Sequence, residues 1–492
     1  MPDHPGAATN VDVHTIRLQI LAVVGVLGIL YAVGHSQIAL DIVKGSQDRS
    51  RERIEPETTI NTAEKGACEI DKYGLPKRAI RARITEYGAV GDGRTLNTAA
   101  FQKAMADLTN IDGGAQLHVP AGNWLTGCFN LTSHLTLYLE RGALILGSQF
   151  TQDWPLIEPL PSYGSGRERP GKRHTSLLHG EGLEDVWITG DNGTIDGQGD
   201  VWWEMWKNRT LVHTRGHLIE FITSEKIVLS NIVLRNSPFW TVHPVYCNNF
   251  MVRNVTILAP WDAPNTDGID PDSSSNVCIE DCYISNGDDL ISIKSGWDEY
   301  GMQMARPSIN ITVRRVIGTT ATCSGISIGS EVSGGIENIL VEDLHVFNAA
   351  AGIRLKTAPG RGGYIKNVTI KGVKLQGVKR AIEFSGDAGE HPKDVDEAGS
   401  SGLWHSDFSK FTAVAGVFIQ NVVGTSIVYP GRFISTPQAP FVDICLFNIS
   451  LDAASSWSCS FVHGSSSSVL PPLCPPLASF INSSSSCHLI YP

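Results

Sequence analysis

The stretch IVLSNIVL at residues 227–234 decides the fold, because its pattern returns further along the chain. Two apolar residues stand two apart, an Asn, Asp or Gly follows two positions later, and another apolar residue comes three positions after that. The pattern recurs as FMVRNVTI at 250–257, VCIEDCYI at 277–284, ILVEDLHV at 339–346 and VTIKGVKL at 368–375, with a degenerate copy around Ile311, Val313 and Arg315. The chain therefore contains an internal repeat.

The spacing of this repeat predicts its architecture. The polar bend residues fall at positions 231, 254, 281, 315, 343 and 372, which gives intervals of 23 to 34 residues. One short alternating strand and one bend per interval are typical of a solenoid of β coils. A β-sandwich also has alternating strands, but it does not require the same bend residue at regular spacing. We therefore predict an all-β parallel β-helix. Its buried, inward positions should include Ile227, Leu229, Val252, Ile279, Val341 and Ile370.

The segments outside the repeat set the domain organisation. Residues 98–108 (TAAFQKAMADL) predict a short amphipathic helix that caps the N-terminal end of the coils. The apolar run at 18–33 predicts a signal peptide or a signal anchor within residues 1–34. Residues 35–66 are polar and mixed in charge, as in a linker. Residues 67–492 then form a single domain with a Ser-, Pro- and Cys-rich tail.

Composition restricts the possible partners. The formal net charge of −11 argues against nucleic acid as a partner. An acidic polymer could bind only through a local group of Lys or Arg.

The cysteines and sequons indicate the compartment. None of the ten cysteines has CxxC spacing, which disfavours zinc, and a disulfide among Cys459, Cys474 and Cys487 could fix the tail. Eight N-x-S/T sequons and the N-terminal apolar run favour a glycoprotein of the secretory pathway.

Two carboxylate-rich loops carry the candidate chemistry. They are NTDGIDPD at 265–272 and NGDDLISIKSG at 286–296, and Asp267 and Asp288 are 21 positions apart, close to one coil. Because stacked strands lie about 4.8 Å apart, the loops should lie side by side. Crowded carboxylates raise the pKa of some members, as acid and base catalysis of glycosidic cleavage requires. Two alternatives are a structural role in the bends and a calcium site formed by Asp267, Asp270 and Asp272.

A pair of cations follows further along the chain. In IRLKTAPGRGG at 353–363, Arg354 and Lys356 are two apart on a predicted strand and therefore share a face. Such a pair is commonly a solvated edge. In a protein of net negative charge, and within three coils of the aspartates, it is suited to hold the carboxylate of an acidic sugar.

Together these motifs resemble the polygalacturonase family of glycoside hydrolases, especially its plant members. The resemblance runs from about residue 82 to 487, and it includes ITEYGAVGDGRTLNTAAFQ at 84–102, GTIDGQGDVWW at 193–203, NTDG, GDD and an RLK close to the family's RIK. It implies a right-handed parallel β-helix that hydrolyses α-1,4-galacturonosidic bonds of pectin with inversion. It also implies an extracellular or cell-wall location for a monomer that needs no cofactor or metal.

The resemblance also assigns roles to individual residues. Asp288 would be the general acid, and Asp267 and Asp289 would activate the water. The substrate would be bound by Asn265, Arg354 and Lys356.

One position departs from the family pattern. Most active members have GHG where this chain has CSG at 323–325, so Ser324 replaces the histidine. This departure leaves two alternatives open: a hydrolase of rhamnogalacturonan or substituted pectin, and a weakly active wall-binding homologue. A lyase on the same fold would use calcium and an arginine base, but the RLK lies at the position that it has in the hydrolases.

Overall fold

The computed structural model describes residues 67–69, 74–388, 393–395, 401–403, 410–478 and 487, which belong to one compact unit. The predicted signal segment, the linker and parts of the C-terminal tail lie outside these residues. Within the described part of the chain, no helix is long and apolar enough to cross a membrane.

The chain winds into coils whose strands stack in parallel, each coil on the one before. The larger sheet has 17 strands. They are β1 Ile80–Arg83, β2 Ala115–Val119, β3 Gly122–Thr126, β5 Leu135–Leu139, β6 Ala143–Gly147, β10 Glu184–Gly190, β11 Gly193–Asp196, β13 Glu225–Arg235, β15 Asn248–Leu258, β16 Ser275–Glu280, β17 Tyr283–Asn286, β19 Ser308–Thr320, β21 Ile336–Phe347, β23 Tyr364–Gln376, β27 Ala413–Ile427, β29 Phe441–Ala453 and β31 Val462–Leu470.

A second face is formed by shorter strands in two sections. The first section consists of β4 Phe129–Asn130, β9 Leu178–Glu181, β12 Ile219–Ile222 and β14 Val242–Val245. The second consists of β18 Ile291–Ile293, β20 Ser324–Ile328, β22 Ala351–Lys356, β24 Arg380–Ser385, β28 Tyr429–Ile434 and β30 Ser458–Ser460. Parallel bridges from Val242 to Ile269 and from Ile269 to Ile291 join the two sections. We call this continuous surface the short-strand face.

In the described residues, two antiparallel strand pairs and three α-helices lie outside the coils. The pairs are β7 Leu156–Ile157 with β8 Arg173–His174, and β25 Lys393–Val395 with β26 Ser401–Leu403. The helices are α1 Thr98–Asp107, α2 Asp200–Lys207 and α3 Asp298–Met304. Helix α1 confirms the predicted cap: its buried Phe101 stacks on Phe129 of the first short strand, with ring centroids 4.6 Å apart.

The predicted bend residues all adopt the left-handed conformation. The φ angles are 53° at Asn231, 52° at Asn254, 55° at Asp281, 53° at Arg315, 52° at Asp343 and 70° at Gly372. Asn and Gly tolerate this region, so the repeat of bend residues reflects the repeat of backbone conformation. Every coil therefore turns at the same point, and the parallel pairing continues from coil to coil.

A second row of bends is linked through side chains. Asn276, Asn310, Asn338 and Asn367 all have left-handed φ angles, and the side-chain amide of each of the last three donates to the asparagine before it in the row. The donor–acceptor distances are 3.2, 3.1 and 2.6 Å along the row. We call this row the asparagine ladder.

The core confirms the predicted solenoid. Ile227, Leu229, Val252, Ile279, Val341 and Ile370 are all buried. Parallel register places them one above another, as in the pairs Leu229–Val252 and Val341–Ile370. Because a β strand is connected to its parallel neighbour by a right-handed path, the coils form a right-handed parallel β-helix.

Three disulfides close the described domain. Cys459–Cys474 and Cys445–Cys487 lie at the C-terminal end, which agrees with the expectation that cysteines fix the tail. The third, Cys68–Cys278, spans 210 positions and attaches the start of the described chain to strand β16.

Candidate active site

The two carboxylate loops lie on neighbouring coils of the short-strand face, as predicted. The Gly268 amide donates to the Asp289 carbonyl at 3.0 Å, and Ile269 pairs in parallel with Ile291. Asn286 fixes the second loop, since its side-chain amide donates to the carbonyls of Thr266 and Asp289. Asp267, Asp288 and Asp289 therefore belong to one cluster.

Asp289 is buried and is the most tightly held of the three. Lys356 donates to its Oδ2 at 2.9 Å, and both the amide and the hydroxyl of Ser324 donate to Oδ1, at 2.9 and 2.5 Å. Burial opposes ionisation, but the charge and hydrogen bond of Lys356 and the hydrogen bond of Ser324 outweigh it and lower the pKa of Asp289 to about 2. Asp289 is therefore a carboxylate at every physiological pH.

Asp288 has the opposite environment although it is the adjacent residue. Burial and the negative charge of Asp289 raise the pKa of the Asp288 carboxyl. Its Oδ1 accepts a hydrogen bond from the Asp289 amide at 2.8 Å, and its side chain is half-buried. A carboxyl with a raised pKa beside an ionised partner is able to keep a proton and then give it up.

Asp267 lies deeper in the same cluster. Its pKa is raised well above the usual range by burial and by the charge of Asp288. The Lys294 ammonium lies 3.8 Å from Asp267 Oδ2, 3.6 Å from Asp270 Oδ1 and 3.3 Å from Glu331 Oε2, and it partly offsets the repulsion. The carboxylate-rich floor is thus stabilised by a buried lysine.

Lys294 and Ser324 are contacts that the sequence analysis did not assign. A signal for Lys294 was present, because Ile291 and Ile293 point into the core and the alternating position 294 must face outward with the aspartates. Ser324 was noted only as a replacement. Its double hydrogen bond to Asp289 follows from register, since Leu290 pairs its amide with the Ser324 carbonyl.

The predicted substrate-binding residues lie on both sides of this cluster. Arg354 and Lys356 are both on β22 and face outward together, as their spacing predicted. Arg354 lies two coils beyond the aspartates, with its Nε 3.5 Å from a Glu383 oxygen. Asn265 lies at the opposite edge, where its Oδ1 accepts a hydrogen bond of 2.8 Å from Arg215.

The geometry does not support the calcium alternative formed by Asp267, Asp270 and Asp272. The carboxylate of Asp272 already accepts hydrogen bonds from Tyr163, Ser273 and the Gly296 amide. In the part of the chain that the structure describes, the carboxylate oxygens of these three aspartates do not all lie within 4.8 Å of one another. They therefore do not face one point.

Another buried group contains the residue types of a metal site, but its contacts are those of an ion-pair network. His217, Glu220 and His243 bring ligand atoms within 4.8 Å of one another. Arg173 donates twice to the Glu220 carboxylate, at 2.8 and 2.9 Å. The ring nitrogens of His243 lie 2.9 Å from a Glu220 oxygen and 3.4 Å from an Asp272 oxygen. A guanidinium at that distance would repel a cation, so the cluster is an ion-pair network on the outer side of the short-strand face.

Comparison with known proteins places this site in a family. A probable polygalacturonase of Vitis vinifera is 45% identical over 404 residues, which cover 81% of this chain and 80% of that protein. A probable polygalacturonase of Arabidopsis thaliana is 30% identical over 406 residues, 79% of each chain. The crystal structure of an exopolygalacturonase from Thermotoga maritima superposes with a TM-score of 0.68 at 25% identity, covering 82% of this chain and 96% of that one.

The family assignment rests on the domain as well as on these relatives. Residues 114–467, which contain every strand of the short-strand face and all the carboxylates described above, match the model of glycosyl hydrolases family 28. The chain therefore belongs to glycosyl hydrolases family 28.

Proposed function

We propose that this glycoside hydrolase cleaves α-1,4-galacturonosidic bonds in pectin or polygalacturonan by an inverting mechanism. The observation that carries the proposal is the different environment of two adjacent carboxyls: Lys356 and Ser324 donate to Asp289 and lower its pKa to about 2, whereas burial beside that charge raises the pKa of Asp288. Glycosidic cleavage requires one protonated and one ionised carboxyl at the same time. The relatives named as polygalacturonases support the choice of substrate.

In this mechanism Asp288 donates its proton to the oxygen of the leaving sugar. Asp289, held ionised by Lys356 and Ser324, accepts a proton from the attacking water. Asp267 shares that task once it has lost its own proton, which the neighbouring Lys294 favours. Water attacks the face opposite the leaving group, so the anomeric configuration is inverted.

Positive charge supports an acidic substrate. Arg354 and Lys356 face outward beside the carboxylates, and Arg432 continues the row because it pairs in register with Glu383, the neighbour of Arg354. In a chain with a net charge of −11, such a local row of cations is what a uronate polymer needs for binding.

Ser324 bears on the alternatives that its sequence position raised. Its hydroxyl and amide both stabilise the Asp289 carboxylate, so this serine supports an ionised base without a histidine. Activity on rhamnogalacturonan or on substituted pectin would use the same carboxylates. A wall-binding homologue would bind the polymer with little turnover.

The direct test is Asp288→Asn, measured by the release of reducing ends from polygalacturonate. Amide replaces acid at nearly constant shape, so we expect the rate to fall by several orders of magnitude with the melting temperature retained. Asp343→Asn is the matched control, because this exposed bend residue has a left-handed φ angle that Asn also tolerates. Unchanged turnover in Asp288→Asn would remove this residue from the mechanism.

The same assay separates the alternatives. Reducing ends from rhamnogalacturonan but not from polygalacturonate would support the first. Polymer binding without turnover would support the wall-binding homologue. An unsaturated product that absorbs in the ultraviolet and disappears with chelator would indicate a lyase. We further propose that the protein acts in the extracellular space or the cell wall, or on a membrane there if its N-terminal segment is retained as an anchor.

A further inference from the structure

One segment crosses the short-strand face beside the candidate active site. We call residues 159–171 the strap. Its base is fixed by Ser162: the Ser162 amide donates to Tyr246 Oη at 3.0 Å, and the Trp297 amide donates to the Ser162 carbonyl at 2.9 Å. Tyr163 adds a hydrogen bond of 2.5 Å to Asp272. The strap is therefore attached to the floor that holds the aspartates.

The tip of the strap reaches both edges of the face through adjacent residues. Arg167 Nε donates to Glu331 at 2.6 Å, and Glu331 follows strand β20 at its carboxyl end. Glu168 accepts from Arg215, with a shortest distance of 2.6 Å, and Arg215 precedes strand β12 at its amino end. Because all the coils run in the same direction, these ends are opposite edges of the face. The strap thus spans the face from edge to edge.

Both contacts are protected from solvent. The side chains of Glu331 and Arg215 are 1% and 0% exposed, and Arg167 also lies over the Trp297 ring, 4.6 Å from its centroid. Arg215 donates further to the carbonyls of Pro238 and Pro264. Since buried charge pairs of this kind are costly to break, the strap is a closed element rather than a loose flap.

The space beneath the strap is too small for a sugar. The cavity between the strap and the floor residues His217, Trp240 and His243 admits only about 20 Å³ of water-sized volume. That corresponds to roughly one water molecule. A polysaccharide therefore cannot pass under the strap towards the N-terminal coils.

Exposure rises in the other direction along the face. The side chains of Asp267 and Lys294, beside the strap, are each 4% exposed. The exposed fraction is 16% for Lys356 and 25% for Arg354, which share strand β22, and 35% for Arg432, two coils further towards the C-terminus. The accessible, cationic part of the face therefore begins at the aspartates and extends only towards the C-terminal coils.

We propose that the strap makes this protein a chain-end hydrolase, in which one end of the uronate polymer stops against the strap and the rest lies over Arg354 and Arg432. This rests on the proposed function. Relatives named as endo- and as exo-acting polygalacturonases both match the chain, so the comparisons do not choose between the modes of cleavage. The closed strap favours the exo-acting mode, because it blocks the face on the N-terminal side of the aspartates.

The structure allows the strap to be opened without disturbing its base. The Gly171 amide donates to the Ser165 carbonyl at 2.6 Å, so residues 166–170 form a tip whose ends already meet. A variant in which one glycine replaces residues 166–170 removes Arg167 and Glu168 and retains Ser162 and Tyr163. Glu168→Gln is the milder variant, and its matched control is Glu158→Gln, which loses only an exposed ion pair with Lys172 just outside the two ends of the strap.

The experiment measures products and viscosity together during the first few per cent of polygalacturonate hydrolysis. The parent protein and Glu158→Gln should release one short product while viscosity falls slowly. The tip-shortened variant should release a series of oligomers and lower the viscosity several-fold faster for each bond cut, with Glu168→Gln intermediate. Melting temperatures identify any variant that fails to fold, and the parent's own products remain decisive in that case.

Three results would overturn the proposal. A series of oligomers from the parent would show internal cleavage. A folded, active tip-shortened variant that still releases a single short product would show that the strap does not close the site. Absence of any reducing ends from polygalacturonate would reject the proposed function, and chain-end cleavage with it. The first two leave the hydrolase function intact, so the failures are distinguishable.

Discussion

At the scale of single residues, the site depends on how two neighbouring aspartates are made different. Asp288 and Asp289 share a loop, yet only Asp289 contacts Lys356 and Ser324. A fixed ammonium and two donors favour its charged form, and that charge in turn favours the protonated form of Asp288. The acid therefore depends on the contacts of its neighbour.

Ser324→Ala tests this coupling through stability. A hydrogen bond to a buried carboxylate is worth about 1.5–3 kcal/mol, so we expect the free energy of unfolding at pH 7 to fall by that amount. Because the pKa of Asp289 is depressed, its contribution is present above the unfolded value and is lost as the pH falls towards about 2. The cost of the substitution should therefore shrink between pH 4 and pH 2.

Urea unfolding of Ser324→Ala at these pH values is the measurement. Ser327→Ala on the same strand is the control, because the Ser327 hydroxyl donates only to the Gly329 carbonyl. A pH-independent difference between the two variants would show that Ser324 does not set the charge of Asp289.

Arg354→Ala tests whether the substrate is acidic. If Arg354 holds a uronate carboxylate, its loss should cost roughly 2–4 kcal/mol of transition-state binding, measured as kcat/KM on polygalacturonate. Arg354→Lys should recover only part of this, because an ammonium lacks the planar two-pronged donor. Added salt should weaken binding of the polymer to the parent protein more than to Arg354→Ala.

Arg141→Ala is the control for net charge, since Arg141 is exposed and pairs with Asp191 far along the chain from this site. If Arg354→Ala leaves activity on polygalacturonate unchanged and a neutral glycan is the better substrate, the pectin assignment is wrong, although the carboxylates could still hydrolyse that glycan.

At the scale of elements, the bends matter as much as the strands. The asparagine ladder occupies positions where φ is positive, which costs a non-glycine residue roughly 1–2 kcal/mol unless its side chain compensates. Asn338 suits a test because it is exposed, bonds to Asn310 and Asn367, and is not part of a sequon.

We expect Asn338→Ala to lower the free energy of unfolding by more than Asn338→Gly does. Alanine loses both the ladder bonds and the tolerance of the left-handed conformation, whereas glycine loses only the bonds. The gap between the variants should be about 1–2 kcal/mol in urea unfolding, the cost of the left-handed conformation for a residue with a Cβ. Equal costs would mean that the ladder bonds alone, and not the backbone conformation, select asparagine here.

At the scale of the whole molecule, distant parts of the chain are joined covalently. Cys68–Cys278 closes a loop of 210 positions, and Cys459–Cys474 closes one of 15. Loop-closure entropy grows slowly with length, so replacing both cysteines by serine should destabilise by about 5 kcal/mol for the first and about 3 kcal/mol for the second. Thermal unfolding midpoints of the two double variants make the comparison. A smaller effect for Cys68–Cys278 would indicate that the start of the described chain adds little to the fold.

Much of this molecule could be predicted from the sequence because its fold is periodic. Bend residues such as Asn254 and inward residues such as Leu229 repeat with the coil, so local pattern and global architecture carry the same information. The sequence also predicted that Asp267 lies beside Asp289, because residues about one coil apart in the chain become neighbours when the coils stack. Arg354 and Lys356 shared a face for the reason that any alternating pair on a strand does.

Only the tertiary structure showed the features that do not repeat from coil to coil. The strap lies outside the repeat, and its contacts with Glu331 and Arg215 join residues 164 and 47 positions apart in the chain. The double hydrogen bond from Ser324 to Asp289 and the central position of Lys294 among Asp267, Asp270 and Glu331 likewise depend on exact distances between coils. A repeat specifies which residues face outward, but charge, burial and access depend on side chains that meet from different coils. The sequence therefore determined the scaffold and the set of carboxylates, and the three-dimensional packing determined their pKa values and which end of the face is open.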